Sequence, residues 1–474
     1  MKRVSVIVVT LLLLVTALPA QQADARIARL NAYLAAAAEL GHVNGSVLVA
    51  EQGKVLVDTA FGFANFELGV RNTPDTRFRV ASVTKQFAAL ATMMLAQDGA
   101  LRLDDPITKY VDSLPASWHR ITIHDLLRHT SGISDYEGWF GGYSTQAYSD
   151  FMSAAHASER IVQYARTLPL DFEPGTRFHY SNSAYVILGL IIERVSGMSL
   201  DAFLQQRIHE PLGMTLSAQD RSDVLIPNRA AGYQLLSGTM PRAYYAGLTA
   251  ANMRNAVYQK MEPPQAEAGL ITTARDLYRW DQALYTERLL PKAALDSIFT
   301  PGLGGYGYGW FIKQGVDGIT YEHSGGLPGF TCYIMRIPGT HRTIIVLNNV
   351  QTLGRTVTDL AAILRGDSVA IPHAHQLLAD DRVRDRGFVG TYRTASQQMV
   401  EIQFEGETLV VQRPGGFRSR LYAEDGGGYF VEATRGSARL ERDGPVHRIT
   451  MFDALGREQL VATKPSMPRS MPML

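Results

Sequence analysis

Several features are scarce in this sequence of 474 residues, and each scarcity excludes a class of protein. The single cysteine, Cys332, excludes an intramolecular disulfide framework. Lysine and arginine together number 46 against 45 for aspartate and glutamate, so the net charge of +1 offers no bulk attraction for nucleic acid or an anionic membrane. Beyond the N-terminus, no apolar run is long enough to span a bilayer. The 46% of hydrophobic residues is typical of a globular enzyme or binding protein.

The first 25 residues have the layout of a secretory signal peptide. Lys2 and Arg3 precede the short apolar run VSVIVVTLLLLVTALPA, which ends in small residues. An uncleaved membrane anchor is the alternative, and the short length of the run argues against it. Cleavage after Ala20 or Ala25 fits the pattern, and the absence of a nearby cysteine argues against a bacterial lipid anchor. We therefore predict an exported protein, periplasmic or secreted from a bacterium, with no stable membrane anchor after cleavage.

The spacing of apolar residues predicts one sheet assembled from both ends of a domain and packed on helices. A helix is predicted in RIARLNAYLAAAAEL, and a hairpin follows in GSVLVAEQGKVLVDTAFG, with its turn at Gln52 and Gly53. Further helices are predicted in TKQFAALATMMLAQDG, IHDLLRHTSG and SAYVILGLIIERVSGMSLDAFLQQRI, with glycines that end or interrupt them. Strands return at YGYGWFIKQ, FTCYIMRIP and RTIIVLNN.

A change of pattern after this first domain, which we place at residues 26–363, predicts a second one. Residues 364–386 are rich in charge and turn residues, which indicates a linker. Residues 387–463 then alternate apolar and polar positions between Gly and Asp turns, so we predict a small antiparallel β-sandwich or barrel. The last residues, 464–474, are predicted to form a frayed tail.

Ser82 and Lys85 form the first candidate pair for chemistry, in the stretch FRVASVTKQF. Residues three apart share one face of a helix, so the lysine amine can reach the serine hydroxyl. A buried ammonium loses its proton readily, because desolvation disfavours the charged form, and the neutral amine then activates the hydroxyl as a nucleophile. A serine three residues before a lysine is also common by chance, so this pair alone decides nothing.

The stretch FHYSNSAY supplies Tyr180 and Asn182 immediately before an apolar helix. A tyrosine hydroxyl beside an ammonium can act as a proton donor or acceptor, and an asparagine amide can bind a substrate amide. The alternative is a buried tyrosine with a helix-capping asparagine.

A third candidate lies in YEHSGGLPGF, where glycines allow close backbone approach to a ligand and an edge-strand amide could donate to an oxyanion. The residues are His323, Ser324, Gly325 and Gly326. Taken in isolation, they indicate a Gly-rich turn that leads into the strand FTCYIMRIP.

Taken together, Ser82-x-x-Lys85, Tyr180-x-Asn182 and His323-x-Gly325 resemble, in order and separation, the three motifs of the serine β-lactamase and penicillin-binding protein superfamily. The Tyr-x-Asn form resembles the class C β-lactamase and esterase branch. Further stretches look like that family, among them ITIHDLLRHTSGI, PLGM and GLITTARDLYRW. The resemblance covers roughly residues 30–360.

The resemblance implies an α+β fold with an antiparallel sheet flanked by helices, an all-helical region, and a small C-terminal antiparallel, lipocalin-like β-barrel. It also implies a covalent mechanism in which Ser82 attacks a carbonyl while Lys85 and Tyr180 pass its proton to the leaving group. The amides of Ser82 and Gly326 would then form the oxyanion hole, Asn182 would hold the acyl side chain, and water activated by Tyr180 would release the product.

The sequence departs from the family at one motif, because His323-Ser324-Gly325 stands where the β-lactamases carry Lys-Thr-Gly. That lysine helps to bind the substrate carboxylate, so its absence weakens the case for an efficient β-lactamase. With histidine at this position, the sequence resembles family members that act as esterases or D-amino-acid peptidases. His323 itself is either a proton relay or a hydrogen-bonding strand residue.

The favoured function is therefore an exported serine hydrolase that cleaves an ester or amide of a small or peptide-like substrate. The alternatives are a β-lactamase or D-alanyl-D-alanine carboxypeptidase, and a module that is acylated by penicillin without turnover. Segments 134–160 and 233–266 are predicted to be long loops over the pocket that select the substrate. His129 is expected to buttress the site, and no metal or organic cofactor is indicated.

Overall fold

The structure is a computed structural model. It describes residues 25–139, 146–147, 150, 158–236, 247–260, 265–351, 355–378, 386–413, 416–425, 427–434, 436–443, 446–453 and 456–465. Residues 1–24 of the predicted signal peptide, most of the predicted tail and parts of both predicted loops lie outside the described residues.

The strands of the first domain fall mainly into an early group and a late group, with most of the helices between them. They are β1 (Gly45–Glu51), β2 (Lys54–Phe61), β3 (Phe63–Asn65), β4 (Val70–Arg71), β5 (Phe78–Arg79), β6 (Ala218–Gln219), β7 (Tyr233–Leu235), β8 (Met253–Asn255), β9 (Leu270–Thr272), β10 (Phe311–Gly315), β11 (Gly318–Leu327), β12 (Phe330–Ile337) and β13 (Arg342–Asn348). The helices are α1 (25–39), α2 (Thr84–Gln97), α3 (Ile123–Leu127), α4 (Ser158–Ala165), α5 (Asn182–Ser196), α6 (Leu200–Leu204), α7 (Glu210–Leu212), α8 (Ala274–Ala283), α9 (Lys292–Ile298) and α10 (Thr356–Arg365).

The main sheet has six antiparallel strands in the order β10-β11-β12-β13-β1-β2. The strand β1 thus pairs with β13, almost 300 residues later in the chain, and β2 pairs with β1 at the edge, so the prediction of a sheet built from both ends is confirmed. The β1–β2 turn is the predicted one, and Gln52 and Gly53 both have positive φ there, at 52° and 73°. This is the geometry that a tight two-residue hairpin requires.

Two separate apolar clusters lie on the two faces of this sheet. On one face, α1 and α10 pack through Leu30, Tyr33 and Leu360 against Val47 and Val346. The larger cluster lies on the other face and includes α2, α5 and α8. Side chains alternate between the faces of a strand, so consecutive apolar residues of β1 and β13 serve both clusters. The first domain is therefore a helix–sheet–helix sandwich.

The helices α2 and α5 form the centre of the larger cluster. All residues of α2 from Thr84 to Leu95 are buried, as are those of α5 from Asn182 to Ile192. A helix that is apolar on all sides needs to be enclosed, and these two pack on each other. Gly197 ends α5 in the left-handed conformation at φ 69°, as the sequence predicted.

Two strand predictions need correction in extent. In YGYGWFIKQ the strand β10 begins only at Phe311, because the residues before it form a tight loop in which Gly309 has a positive φ of 76°. His323–Gly326 belong to the strand β11 and do not form a turn before a strand. The ladder between β10 and β11 ends at Phe311 and Glu322, so this last part of β11 extends beyond its neighbour.

The C-terminal domain is a closed barrel of eight antiparallel strands. These are β14 (Gly390–Thr394), β15 (Met399–Glu405), β16 (Thr408–Gln412), β17 (Arg418–Ala423), β18 (Tyr429–Val431), β19 (Gly436–Asp443), β20 (Val446–Phe452) and β21 (Glu458–Pro465). Pairing of Arg393 with Thr463 closes the barrel. Its interior is filled by a cluster of apolar side chains that includes Tyr392, Ile402 and Ile449. The predicted fold class, with its appended barrel, is confirmed.

Residues 375–378, between the two domains, are hydrogen-bonded to the end of β17 and the residues that follow it. The Leu378 amide donates to the Ala423 carbonyl at 2.7 Å, and the Asp425 amide donates to the Gln376 carbonyl at 3.0 Å. The His375 ring and the Glu424 carboxyl are 2.7 Å apart. Over the described residues, no helix has the length and apolar character needed to cross a membrane.

Candidate active site

Ser82 lies in a single 3₁₀ turn, Ala81–Val83, that leads directly into α2. The preceding residue, Ala81, has a positive φ of 49°. A non-glycine residue in this region carries backbone strain on the order of 1 kcal/mol, and such strain is often found at functional sites. The Val80 amide donates to the Leu270 carbonyl at 3.0 Å, which fixes the turn against β9. Ser82 itself remains partly exposed, as a nucleophile must be.

Lys85 is completely buried beneath Ser82. Its Nζ is 3.0 Å from Ser82 Oγ, 2.7 Å from Asn182 Oδ1 and 2.9 Å from the Glu267 carbonyl oxygen. The last two atoms can only accept hydrogen bonds, so a neutral amine directs its two N–H groups to them and its lone pair to Ser82. Burial lowers the pKa of Lys85 to about 8, although nearby carboxylates oppose the shift. The geometry therefore suits a base that takes the proton of Ser82.

Asn182 is oriented by hydrogen bonds on its two sides. Its Oδ1 accepts from Lys85, while its Nδ2 donates to Asp135 Oδ2 at 3.3 Å. The backbone amide of Asn182 also donates to Asp135 Oδ1 at 3.1 Å. The helix-capping alternative applies to its neighbour Ser181, whose hydroxyl accepts from the Ala184 amide. Asn182 thus connects Lys85 to a carboxylate in addition to any contact with a substrate.

Tyr180 completes the group around the nucleophile. Its hydroxyl is hydrogen-bonded to Ser82, and burial raises its pKa well above the usual value, so the hydroxyl keeps its proton in the free site. Lys85 Nζ lies 4.9 Å from the centre of its ring. The structure therefore brings Ser82 and Lys85 together with Tyr180 and Asn182, which the family resemblance implied.

His129 supports Tyr180 from behind, as expected. Its ring centroid lies 4.3 Å from that of Tyr180, and its Nδ1 accepts from the Ser181 amide at 3.1 Å. The ring is fully buried, and burial lowers the pKa of His129 well below the usual value. A neutral imidazole with a fixed acceptor nitrogen thus holds the segment Tyr180–Asn182 in place.

The third motif forms the wall of the site opposite α2. Along β11, His323 and Gly325 are buried, whereas Ser324 and Gly326 face the open side. A Cβ at Gly325 would overlap the carbonyl oxygen of Val80, but a Cβ at Gly326 would enter open space. The strand is therefore packed directly on the turn that carries Ser82.

His323 is locked in the neutral form. Its Nδ1 is 2.6 Å from the Ser324 carbonyl oxygen, which can only accept, so Nδ1 carries the proton. Its Nε2, 3.0 Å from the Tyr306 hydroxyl, is then an acceptor. Burial and the proximity of Lys85 lower the pKa of His323 to about 3. Of the two interpretations from the sequence, this arrangement favours the hydrogen-bonding strand residue.

Sequence reasoning missed the carboxyl groups that surround Lys85. Asp135, Glu137 and Glu267 all act electrostatically on its ammonium. They occur in SGISDYEGW and QAEAGL, segments without a regular pattern, where single acidic residues give no signal of their own. No cluster of side chains suited to a metal ion occurs among the described residues.

Comparison with known proteins gives one consistent family. The protein-family model described as Beta-lactamase matches residues 24–367. Penicillin-binding protein 4* of Bacillus subtilis (strain 168) is 29% identical over 411 residues, covering 82% of this chain and 88% of that protein.

Two solved structures extend the likeness to three dimensions. The octameric penicillin-binding protein homologue from Pyrococcus abyssi has a TM-score of 0.64 at 25% identity and covers 92% of this chain and 100% of its own. A D-stereospecific amidohydrolase from Streptomyces sp. has a TM-score of 0.59 at 25% identity and covers 73% of this chain and 99% of its own.

Proposed function

Because the chain belongs to the Beta-lactamase family of serine hydrolases, we propose that it is an exported hydrolase that cleaves an amide or ester of a substrate without a terminal carboxylate, with D-amino-acid amides as the leading substrate class. The reaction proceeds through an acyl-enzyme on Ser82. Export is part of this proposal and follows from the signal-peptide layout of residues 1–25.

The contacts of Ser82 support a two-step mechanism. In the first step Ser82 Oγ forms a bond to the carbonyl carbon while its proton moves to the neutral amine of Lys85. The Tyr180 hydroxyl, hydrogen-bonded to Ser82, gives its proton to the leaving nitrogen or oxygen and is reprotonated from Lys85. The carbonyl–leaving-group bond then breaks and leaves the ester on Ser82. In the second step a water molecule adds to this ester by the reverse proton path and releases the acid.

The substrate preference is carried by one observation, the neutral, fully hydrogen-bonded His323. In this position a lysine would offer an ammonium to a substrate carboxylate, but His323 is buried and both of its ring nitrogens have partners inside the protein. A terminal carboxylate brought beside it would lose water without gaining a charge-assisted hydrogen bond. Substrates with a neutral group at that end should therefore be preferred.

The names of the relatives support two candidates of different rank. The Streptomyces sp. protein is described as a D-stereospecific amidohydrolase, which agrees with an amide substrate. The Bacillus subtilis relative is described as a penicillin-binding protein, so acylation by penicillin is the second candidate. The neutral His323 makes that second candidate the weaker one.

A matched pair of substrates tests the proposal. N-acetyl-D-alanyl-D-alanine and its C-terminal carboxamide differ only in the terminal charged group. We expect kcat/KM to be at least about tenfold higher for the carboxamide, because a factor of about ten corresponds to one strong hydrogen bond that the carboxylate fails to gain. D- and L-phenylalanine amide serve as the stereochemical pair, with faster release of ammonia from the D form. Preference for the free carboxylate would contradict the proposed substrate class.

A further inference from the structure

Glu267 places an acidic side chain at the base of the site, next to Lys85 and three residues before β9. The residue is 1% exposed. Its backbone carbonyl accepts a hydrogen bond from Lys85 Nζ at 2.9 Å. Its Oε1 is 3.5 Å from the Tyr136 hydroxyl, and its Oε2 has no hydrogen-bond partner among the described residues.

Burial of the Glu267 carboxyl group destabilises the fold, which indicates a functional role for this side chain. The contact that holds Lys85 uses the backbone oxygen, which every amino acid has, so it does not require an acidic side chain. A buried carboxylate with one weak hydrogen bond is unfavourable compared with an apolar side chain of the same size. What the carboxyl adds is a group that can carry negative charge close to a buried ammonium.

We infer that Glu267 is a positioning residue for acylation: its backbone oxygen holds Lys85 against Ser82, and its buried carboxyl sets the pH range in which Lys85 becomes a base. The inference rests on the proposed function, since it assigns a role within that reaction. Glu267 acts through Lys85 and needs no contact with the substrate.

The charges around Lys85 come from several elements. Among the acidic groups, Glu267 raises the pKa of Lys85 the most. Glu137 and Asp135, from the segment after α3, raise it less. The other titratable groups that face the pair are Tyr136, Tyr180, Tyr185, His129 and His323. Both of these histidines are neutral near pH 7, because burial lowers their pKa values, and burial keeps Tyr180 protonated.

The sign of the effect follows from this arrangement. Burial raises the pKa of Glu267 to about 7 and lowers that of Lys85 to about 8, so the two groups titrate over the same pH range. The negative form of Glu267 stabilises the Lys85 ammonium, so Lys85 loses its proton only at a higher pH. Replacement by a neutral side chain removes that stabilisation, so Lys85 becomes a neutral base at lower pH.

The test is the pH dependence of Ser82 acylation. The full chain is mixed with an uncharged aryl ester, and the rate of the first-turnover burst is recorded between pH 5 and 10. For the unchanged protein we expect the rate to rise to a plateau with a midpoint near the Lys85 pKa of about 8. For Glu267→Gln we expect the midpoint to move down by about one pH unit, the scale produced by one nearby charge.

Two further variants keep the result interpretable. Glu267→Met removes the charge and the polar atoms together, so it should show the same downward shift even where Gln is poorly accommodated. Glu193→Gln changes a half-buried carboxyl on α5 that accepts from the Leu200 amide, and its midpoint should stay that of the unchanged protein. A merely structural role for Glu267 would lower the plateau rate without moving the midpoint.

The outcomes separate the two proposals. A burst in the unchanged protein with an unmoved or raised midpoint in the folded Gln or Met variant overturns the role of Glu267 and leaves the Ser82 mechanism intact. If the unchanged protein shows no Ser82-dependent hydrolysis of any ester or amide, the proposed function and this inference both fail. A lowered midpoint in Gln and Met, absent from Glu193→Gln, supports the inference.

Discussion

At the scale of single residues, the site depends on how closely β11 approaches the nucleophile. Gly325 packs against the backbone of Val80. Val80 is followed by Ala81, whose positive φ carries strain, and then by Ser82. Its neighbour Gly326 points into open space. The two adjacent glycines therefore have different requirements, although the sequence alone shows them as equivalent.

This difference gives a prediction with its own control. Gly325→Ala should force β11 away from the turn, reduce the acylation rate at least about tenfold and lower the free energy of unfolding by about 1–3 kcal/mol, as overpacking does. Gly326→Ala keeps its backbone amide and should retain stability within about 0.5 kcal/mol. Urea unfolding and burst rates of both variants measure this. Equal effects of the two substitutions would contradict the packing described.

What the sequence could predict at this scale depended on spacing. Ser82 and Lys85 are three residues apart, a separation that the start of a helix translates directly into proximity, whereas the approach of Tyr180 and Asn182 to this pair was implied only by the family resemblance. Asp135 and Glu267 reach Lys85 from segments 50 and 182 residues away, where only the fold determines the distance. The neutrality of His323 was equally hidden, because it depends on the burial of the ring and on Tyr306.

At the scale of elements, a buried ion pair joins the helix α8 to the sheet. Asp281 on α8 accepts from Arg336 of β12 at 2.8 Å and from Thr343 of β13 at 2.5 Å. Asp281 is 0% and Arg336 2% exposed. The Arg336 guanidinium also lies 4.2 Å from the centre of the Tyr285 ring. This contact fixes the position of α8 on the face of the sheet that carries the site.

Removal of one partner of this ion pair should therefore lower the free energy of unfolding strongly. Asp281→Ala leaves the Arg336 charge buried without its partner, so we expect a loss of about 3–5 kcal/mol in the free energy of unfolding. Asp296→Ala breaks the exposed pair with Lys292 on α9 and should cost less than about 1 kcal/mol. Chemical unfolding of the two variants provides the comparison. A similar small loss in both would show that the buried pair does not anchor α8.

Sequence periodicity identified most of these elements correctly, and its errors have a common cause. The apolar runs of β12 and β13 and of the helices α2 and α5 were recognised because burial on both sides gives long apolar segments. The pattern predicts too early a start for β10 and a turn at His323–Gly326, which belong to the end of β11, because glycines interrupt the apolar alternation in both segments. Local pattern is least informative where function determines the residues.

At the scale of the whole molecule, the barrel has its own apolar interior, separate from the two clusters of the hydrolase domain. All contacts described for the site involve residues before Phe330. The change of pattern near residue 364 predicts a second domain, but the closure of the eight strands depends on pairing between β14 and β21, which no local pattern encodes.

Deletion of residues 387–474 tests whether the barrel contributes to the site. We expect the truncated protein to fold and its Ser82 to be acylated by a small aryl ester within about threefold of the full-length rate, because no described contact of the catalytic group is lost. Activity on larger substrates serves as the second readout, for effects of the barrel on access. Complete loss of Ser82 acylation in a folded truncation would show that the barrel helps to form the site.

The central claim, an acyl-enzyme on Ser82, is tested most directly by time-resolved intact mass. The protein is mixed with an activated ester and quenched within the first turnover, with Ser82→Ala as control. We expect a transient mass increase equal to the acyl group, located on Ser82 by peptide mapping and absent from Ser82→Ala, which should remain folded. An adduct of equal amount in Ser82→Ala, or hydrolysis at an undiminished rate in that variant, would contradict the assignment of Ser82 as the nucleophile.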